Sequence, residues 1–189
     1  MAEYYYLVSS LPMLMPDMEP AISLQEFMEQ CSDWLGAGEM NTLETLRLIP
    51  EATAADTCGT VSALWNDWET NLRNRLAKNR VNTGQDAEGV QREERQVYGE
   101  VEQGVMDACN QSDPQEKEKT LDNLRWSFLN DLEGAHQFDF DTLCVYKLKL
   151  MIREKWTPRT VSTGRAKLDE IVAAVEQDRQ GEKNSADAE

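Results

Sequence analysis

The 189-residue chain has little of what most catalytic and metal-binding sites need. It has one histidine, His136, and four cysteines that lie far apart, at positions 31, 58, 109 and 144. Their spacing fits neither a disulfide scaffold nor a zinc site, so we interpret them as reduced thiols. The glycines lack the GxGxxG and GK[ST] contexts of phosphate-binding loops, and no serine or cysteine has a recognisable acid–base partner. The sequence therefore predicts a protein that is not an enzyme and that has no cofactor and no metal.

Basic residues and long apolar runs are also scarce. The chain has 19 lysines and arginines against 35 aspartates and glutamates, a formal net charge of −16. Such an acidic chain is a poor partner for nucleic acid or for an anionic membrane surface. No apolar run approaches the roughly 20 residues that a membrane span needs, and residues 1–10 lack the basic start of a secretory signal. We therefore expect a cytoplasmic protein with no nucleic-acid partner and no direct membrane span.

What the sequence does contain is the spacing of amphipathic helices. Apolar residues recur at intervals of three and four, which is typical of helices with one buried face. The strongest predicted helix spans Thr60–Arg80, and others begin with capping signals at Ser23, Asn41 and Asp113. We expect an all-α fold, a compact bundle of about six to eight amphipathic helices. Its core should contain Leu64, Trp65, Trp68, Leu72, Leu143, Leu148 and Ile152.

The last clear helix before the C-terminal region is predicted to be central. It is capped by Asp141, runs to about Lys155, and is apolar almost all round its first turns. A final helix is predicted to begin at Thr163. Residues 1–179 are predicted to form a single helical domain, and residues 180–189 are polar and aperiodic, which indicates a disordered tail.

Two regions are less regular. Residues 4–10 fit either a short strand or a helical turn, and an irregular segment rich in proline and methionine follows them. We expect this segment to cross the body of the protein and to pack its methionines into gaps. Residues 83–120 carry ten acids and four bases and have the period of a weakly apolar helix from Asp86 to Ala108. This acidic region fits an edge element or a mobile projection, and we favour the edge element.

Positive charge is concentrated near the C-terminus. Residues 147–167 hold seven bases and one acid, whereas residues 1–60 hold ten acids and only Arg47. Lys149, Arg153 and Trp156 share one helix face by their spacing. This basic face is either an interface for an acidic protein partner or simply a solvated surface, and a tryptophan there is either a partner anchor or part of the core edge. The candidate partner-binding residues are Tyr146, Lys147, Lys149, Arg153, Lys155 and Trp156.

Three stretches of the chain resemble a small bacterial family of unknown function. They are the opening run Tyr4–Pro12 (YYYLVSSLP), the helix entry Ile22–Phe27, and Phe138–Ile152 (FDFDTLCVYKLKLMI). Members of that family are encoded beside the subunits of V-type (A/V-type) ATPases. The family is in turn similar to the C/d-type central-stalk subunit, an all-α protein that couples the rotating stalk to the membrane ring.

The resemblance implies a non-enzymatic subunit or accessory factor of a V-type ATPase, which would couple or assemble its cytoplasmic and membrane parts. The implied partners are stalk or membrane-sector subunits, and the implied place is the cytoplasm, peripheral to the inner membrane through the ATPase. No catalytic residue comes with the resemblance. The alternative is a stand-alone cytoplasmic helical adaptor or assembly chaperone.

Overall fold

The computed structural model of the chain describes residues 4–50, 60–82 and 92–157, with the backbone alone for residues 80–82. Within these ranges the chain forms seven α-helices and no β-strand, so the predicted all-α fold is confirmed. The helices are α1 (Tyr5–Ser10), α2 (Leu24–Ser32), α3 (Ala37–Thr45), α4 (Thr60–Asn82), α5 (Gly99–Cys109), α6 (Pro114–Ala135) and α7 (Phe140–Trp156). The chain divides into two compact units, Met1–Arg153 and Glu154–Glu189.

An aromatic stack forms part of the core. The ring centroids of Trp65 and Trp68 on α4 lie 5.7 Å apart, and Trp68 stacks on Phe128 of α6 at 4.8 Å. A spacing of three residues places both indoles on the same side of α4. Both indole N–H groups donate hydrogen bonds, from Trp65 to the carbonyl oxygen of Arg47 and from Trp68 to the carboxylate of Glu100. The two largest side chains of the core are therefore buried with their donors satisfied.

The predicted core residues are buried with one exception. Leu64 is half-buried and packs against the others, which are Trp65, Trp68, Leu72, Leu143, Leu148 and Ile152. Helix α7 is buried on more than one side, as its apolar sequence predicted. Its buried residues occupy successive positions instead of a single stripe. No helix among the described residues is both long and apolar enough to cross a membrane.

A buried ion pair joins α4 to α6. Arg125 donates to both carboxylate oxygens of Glu69, from Nε at 2.9 Å and from Nη2 at 2.8 Å, and to Asp122 from Nη1 at 2.8 Å. Burial disfavours the charged guanidinium, but the two carboxylates outweigh it and hold the pKa of Arg125 above its ordinary value. Loss of either partner would leave a buried charge unpaired, so this pair fixes how the two helices lie against each other.

Two predicted helix starts are confirmed. Ser23 and Glu26 form a capping box at the start of α2, in which each side chain bonds to the backbone N–H of the other residue. Asp113 caps α6, since its Oδ1 accepts from the Gln115 N–H at 2.9 Å. In both cases donor and acceptor are at most three residues apart, and such local pairs can be read from the sequence.

The predicted start of the second helix is wrong. Helix α3 begins at Ala37 rather than Asn41, because the Glu39 side chain accepts from the Gly36 N–H at 3.2 Å and satisfies one free donor of the first turn. A glycine has no capping side chain, and the sequence pattern therefore indicated a helix end at this position instead of a helix start.

The prediction that Asp141 caps α7 is wrong. Helix α7 begins at Phe140, and Asp139 rather than Asp141 accepts from the Thr142 N–H, at 2.9 Å. Asp141 Oδ1 instead accepts from the Val61 N–H in the first turn of α4, at 3.0 Å. A carboxylate is favourable there because the N-terminal end of a helix carries partial positive charge. Asp141 thus ties the start of one long helix to the start of the other.

Residues 92–98 form a non-helical segment that lies along α4. The prediction of a helix from Asp86 to Ala108 is therefore wrong for residues 92–98 and holds from Gly99 onward. Polar side chains on one face of α4 bond to the backbone of this segment. The Arg95 N–H donates to Asp67 at 2.9 Å, Asn71 donates to the Gln96 carbonyl at 2.8 Å, and Asn74 accepts from the Arg92 N–H at 3.0 Å and donates to its carbonyl at 2.8 Å. These side chains pair with backbone N–H and C=O groups of the segment, which would bond to each other if the segment were a helix.

The N-terminal region closes on the turn between α6 and α7. Residues 5–10, for which strand and helical turn were both open, form α1, and residues 11–22 are irregular as predicted. The Tyr4 N–H donates to the Phe138 carbonyl at 3.0 Å, and the ring of Tyr5 lies 4.8 Å from that of Phe138. Phe138 has φ = 59°, a conformation that costs a residue with a side chain about 1–2 kcal/mol. The contacts with Tyr4 and Tyr5 offset this strain.

Some predictions fall outside the described residues. These are the helix from Thr163, the tail at residues 180–189, the domain boundary at residue 179, and the part of the acidic region at residues 83–91.

Asn74 should be important for stability. Its side chain is 2% exposed and makes three hydrogen bonds to the 92–98 segment. We expect Asn74→Ala to lower the free energy of unfolding by about 1–3 kcal/mol, because buried backbone groups lose their partners. Urea denaturation measures this change. Lys78→Ala, at an exposed position of the same helix, is the control and should stay within about 0.5 kcal/mol. Equal effects of the two substitutions would contradict this role.

Candidate functional site on helix α7

The predicted partner-binding residues follow α7 from Tyr146 to Trp156. Lys147 and Lys149 are only 2% and 5% exposed, so their predicted place on an exposed basic surface is wrong. A long lysine side chain can lie along apolar neighbours and still bring its ammonium group to polar atoms. Both lysines do so here, and their polar partners belong to other helices of the same chain.

Lys147 binds the C-terminal end of α3. Its Nζ donates to the carbonyl oxygens of Leu43 and Leu46, the latter at 3.0 Å. Carbonyl groups at a helix end have no partner within the helix, and a cation is favourable beside them. Burial, together with the nearby charge of Arg47, lowers the pKa of Lys147 to about 8. This lysine therefore connects α3 to α7 at an electrostatic cost.

Lys149 connects α7 to α6. Its Nζ lies 2.6 Å from Glu133 Oε2 and 5.4 Å from the ring centroid of Trp126. The carboxylate and the aromatic face are both attractive to an ammonium group. Trp126 is itself buried and belongs to the core.

Tyr146 and Arg153 hold the irregular N-terminal segment. The Tyr146 hydroxyl donates to the Pro12 carbonyl at 2.8 Å, and Arg153 donates to the carbonyl oxygens of Pro16 and Met18, the latter from Nε at 2.9 Å. The two side chains are seven residues apart and so lie on the same face of α7, two turns from each other. Burial raises the pKa of Tyr146 to about 12, so its hydroxyl keeps its proton at neutral pH. We call residues 11–19 the methionine strap.

The methionines of the strap point outward. Met13, Met15 and Met18 are 84%, 46% and 64% exposed, whereas Leu14 packs against the core. The prediction that the methionines fill gaps is therefore wrong, although the segment does cross the body of the protein. The reason is that α7 binds carbonyl oxygens of the strap. The prolines of the strap could have indicated that its carbonyl oxygens bind another element. Proline lacks an N–H donor and excludes a regular helix, in which those carbonyl oxygens would be paired.

Lys155 and Trp156 belong to the second unit, of which only residues 154–157 are described. Lys155 Nζ lies 5.6 Å from the ring centroid of Trp156, and both side chains are half-buried. Their predicted role in partner binding stays a prediction.

The reactive side chains of the described residues are engaged in packing or capping. His136, at the C-terminal end of α6, has Nδ1 2.9 Å from Asp139 Oδ2 at the turn before α7. Cys31, Cys109 and Cys144 form no disulfide, and burial raises the pKa of Cys31 to about 12 and that of Cys144 further still. Such thiols are poor nucleophiles. Within residues 4–50, 60–82 and 92–157, no three His, Cys, Asp or Glu side chains are grouped so that they could hold a metal ion.

Comparison with known proteins gives one family match. Residues 100–179, less than half of the chain, match the model of a family described as "Protein of unknown function (DUF2764)". The match includes α6 and α7 and hence the stretch Phe138–Ile152, but it excludes the strap and α1 to α4. No curated protein and no solved structure matches the chain.

Lys147 should leave a signature in the pH dependence of stability. Its pKa is about 8 in the folded protein and near 10.5 when the chain is unfolded. Between these values the unfolded state binds more protons, so this lysine makes the folded state more stable as the pH rises from 8 to 10. We expect the free energy of unfolding of the wild type to rise over this range relative to that of Lys147→Met. Urea denaturation at a series of pH values measures the difference, and a difference that is constant or falls would refute the prediction.

Proposed function

We propose that this chain is a non-enzymatic subunit or accessory or assembly factor of a V-type ATPase that couples its cytoplasmic and membrane parts. It would act in the cytoplasm and lie peripheral to the inner membrane when bound to the ATPase. Hydrolysis of ATP would belong to other subunits.

The support comes from the place of the resemblance in the fold. The stretch Phe138–Ile152, which carries most of the resemblance, spans nearly all of α7 and falls within the family match. Through Lys147, Lys149 and Arg153, α7 holds α3, α6 and the methionine strap in place. A helix that positions three other elements suits a protein whose task is to present surfaces to partners.

The ionisable residues support a binding role rather than a catalytic one. Glu69, the most buried charged side chain among the described residues, pairs with Arg125, and His136 interacts with a neighbouring aspartate. Meanwhile, several large apolar side chains are exposed, which is typical of surfaces that contact other proteins.

Co-purification is the decisive experiment. The full chain, tagged and expressed at its natural level in its source cells, should recover V-type ATPase stalk or membrane-sector subunits in constant stoichiometry. Lys155→Glu should reduce this recovery if the basic end of α7 contacts an acidic partner, because like charges across an interface are costly. Lys119→Glu, an exposed position on α6, is the matched control and should leave recovery unchanged.

The alternative outcome is equally specific. Recovery of another cytoplasmic protein in constant stoichiometry, without any ATPase subunit, would refute the ATPase proposal and favour the stand-alone adaptor or assembly chaperone. Equal recovery of the ATPase by Lys155→Glu and by Lys119→Glu would remove the basic end of α7 from the interface.

A further inference from the structure

We infer that the methionine strap is a docking surface for a basic amphipathic helix of a partner protein. The inference goes beyond the proposed function, because it rests on the strap alone and does not require the partner to be an ATPase subunit.

Exposed apolar side chains are concentrated at the strap and the helix before it. Five of the nine large apolar side chains that are exposed among the described residues lie between positions 5 and 18. They are Tyr5, Tyr6, Met13, Met15 and Met18. Methionine side chains are flexible and polarisable, and surfaces that bind helices of varied sequence use them for this reason.

The backbone of the strap is fixed although its methionine side chains are exposed. Tyr146 and Arg153 bind the carbonyl oxygens of Pro12, Pro16 and Met18 from one face of α7. A partner therefore meets a backbone that is already ordered, which reduces the entropy lost on binding.

The hydrogen bonds between the strap and α7 determine whether a partner can bind as an extended segment or as a helix. A partner in an extended conformation would have to pair with free N–H and C=O groups of the strap. Within the strap, Pro12 and Pro16 have no N–H, and the carbonyl oxygens of Pro12, Pro16 and Met18 already bind α7. These positions interrupt the row of N–H and C=O groups that an extended partner needs, whereas an amphipathic helix needs side chains only.

The charge of the strap determines which residues the polar face of the partner helix should carry. Asp17 and Glu19 are the charged side chains of the strap, and both are exposed. Basic residues flanking the apolar stripe of the partner would complement this field. The same field, in a chain of net charge −16, opposes binding to an anionic membrane, so a protein helix fits better than a lipid surface.

The test uses the isolated full chain and a synthetic peptide. The probe is an amphipathic helix of about 18 residues made of leucine and lysine with a 3.6-residue period. Isothermal titration calorimetry should show binding at one peptide per chain that weakens as salt is added. A peptide with glutamate in place of lysine, and one of identical composition with the period broken, should bind far less. Equal binding of all three peptides would overturn the inference.

Substitutions then locate the site. Met13→Ser, Met15→Ser and Met18→Ser combined should weaken binding at least about tenfold. The matched control combines Ile49→Ser, Val97→Ser and Met106→Ser, which are equally exposed apolar positions outside the strap, and should bind as the wild type does. Because all six positions are exposed, both variants should remain folded, which circular dichroism checks. Equal affinities of the two variants would overturn the inference.

Further variants test the charge of the strap and its positioning by α7. Asp17→Asn with Glu19→Gln should weaken binding and flatten its salt dependence more than Glu102→Gln with Asp131→Asn, which are exposed acids elsewhere. Arg153→Met should weaken binding with the methionines intact, since it frees two carbonyl oxygens of the strap. Insertion of the strap into phosphatidylcholine vesicles, without any peptide binding, would replace the inference with a lipid surface. Failure to recover an ATPase would leave these results unaffected.

Discussion

No side chain of helix α7 is exposed, and the cationic side chains of its buried part therefore need oxygen atoms from a neighbouring element. Lys147 finds them at the end of α3, Lys149 on α6, and Arg153 in the backbone of the strap. An exposed helix with the same sequence would direct these groups into water. Because the apolar residues of α7 keep it central, its cations act as connections within the chain, and the basic character of this region serves the fold before it can serve any partner.

The buried polar side chains of helix α4 likewise need hydrogen-bond partners from neighbouring elements. Glu69 is completely buried, and its charge is acceptable there because Arg125 binds both of its oxygens and Arg73 Nε lies 3.3 Å from Oε1. Asn71 and Asn74 are buried as well, and they bond to the backbone of residues 92–98. Apolar packing by itself would tolerate several arrangements of these helices. Polar groups with one good set of partners favour a single arrangement, and they do so between α4 and α6 as well as along the 92–98 segment.

The sequence predicted the features that depend on nearby residues. The spacing of Trp65 and Trp68 indicated a shared buried face, and the capping signals at Ser23 and Asp113 marked two helix starts. It did not predict features whose partners lie far along the chain: Asp141 binds Val61, and Lys147 binds Leu43. For the candidate site, the spacing correctly placed the candidate residues on one helix, α7. It could not show that the ammonium groups of Lys147 and Lys149 bind other elements of the same chain. Nor could periodicity show that the strap, which has none, exposes its methionines.

The contacts of residues 92–98 with α4 have a consequence for how this segment behaves. Asp67, Asn71 and Asn74 recognise its N–H and C=O groups, so α4 binds the segment much as a receptor binds a peptide ligand through its backbone, with side-chain contacts at Glu94 and Tyr98. The segment remains in place because the chain on both sides keeps it at a high effective concentration. Its exposed side chains can thus be exchanged, except for proline where an N–H is needed, without loss of the backbone contacts. The surface formed by residues 92–98 can in this way change its chemistry while the helices beneath it stay where they are.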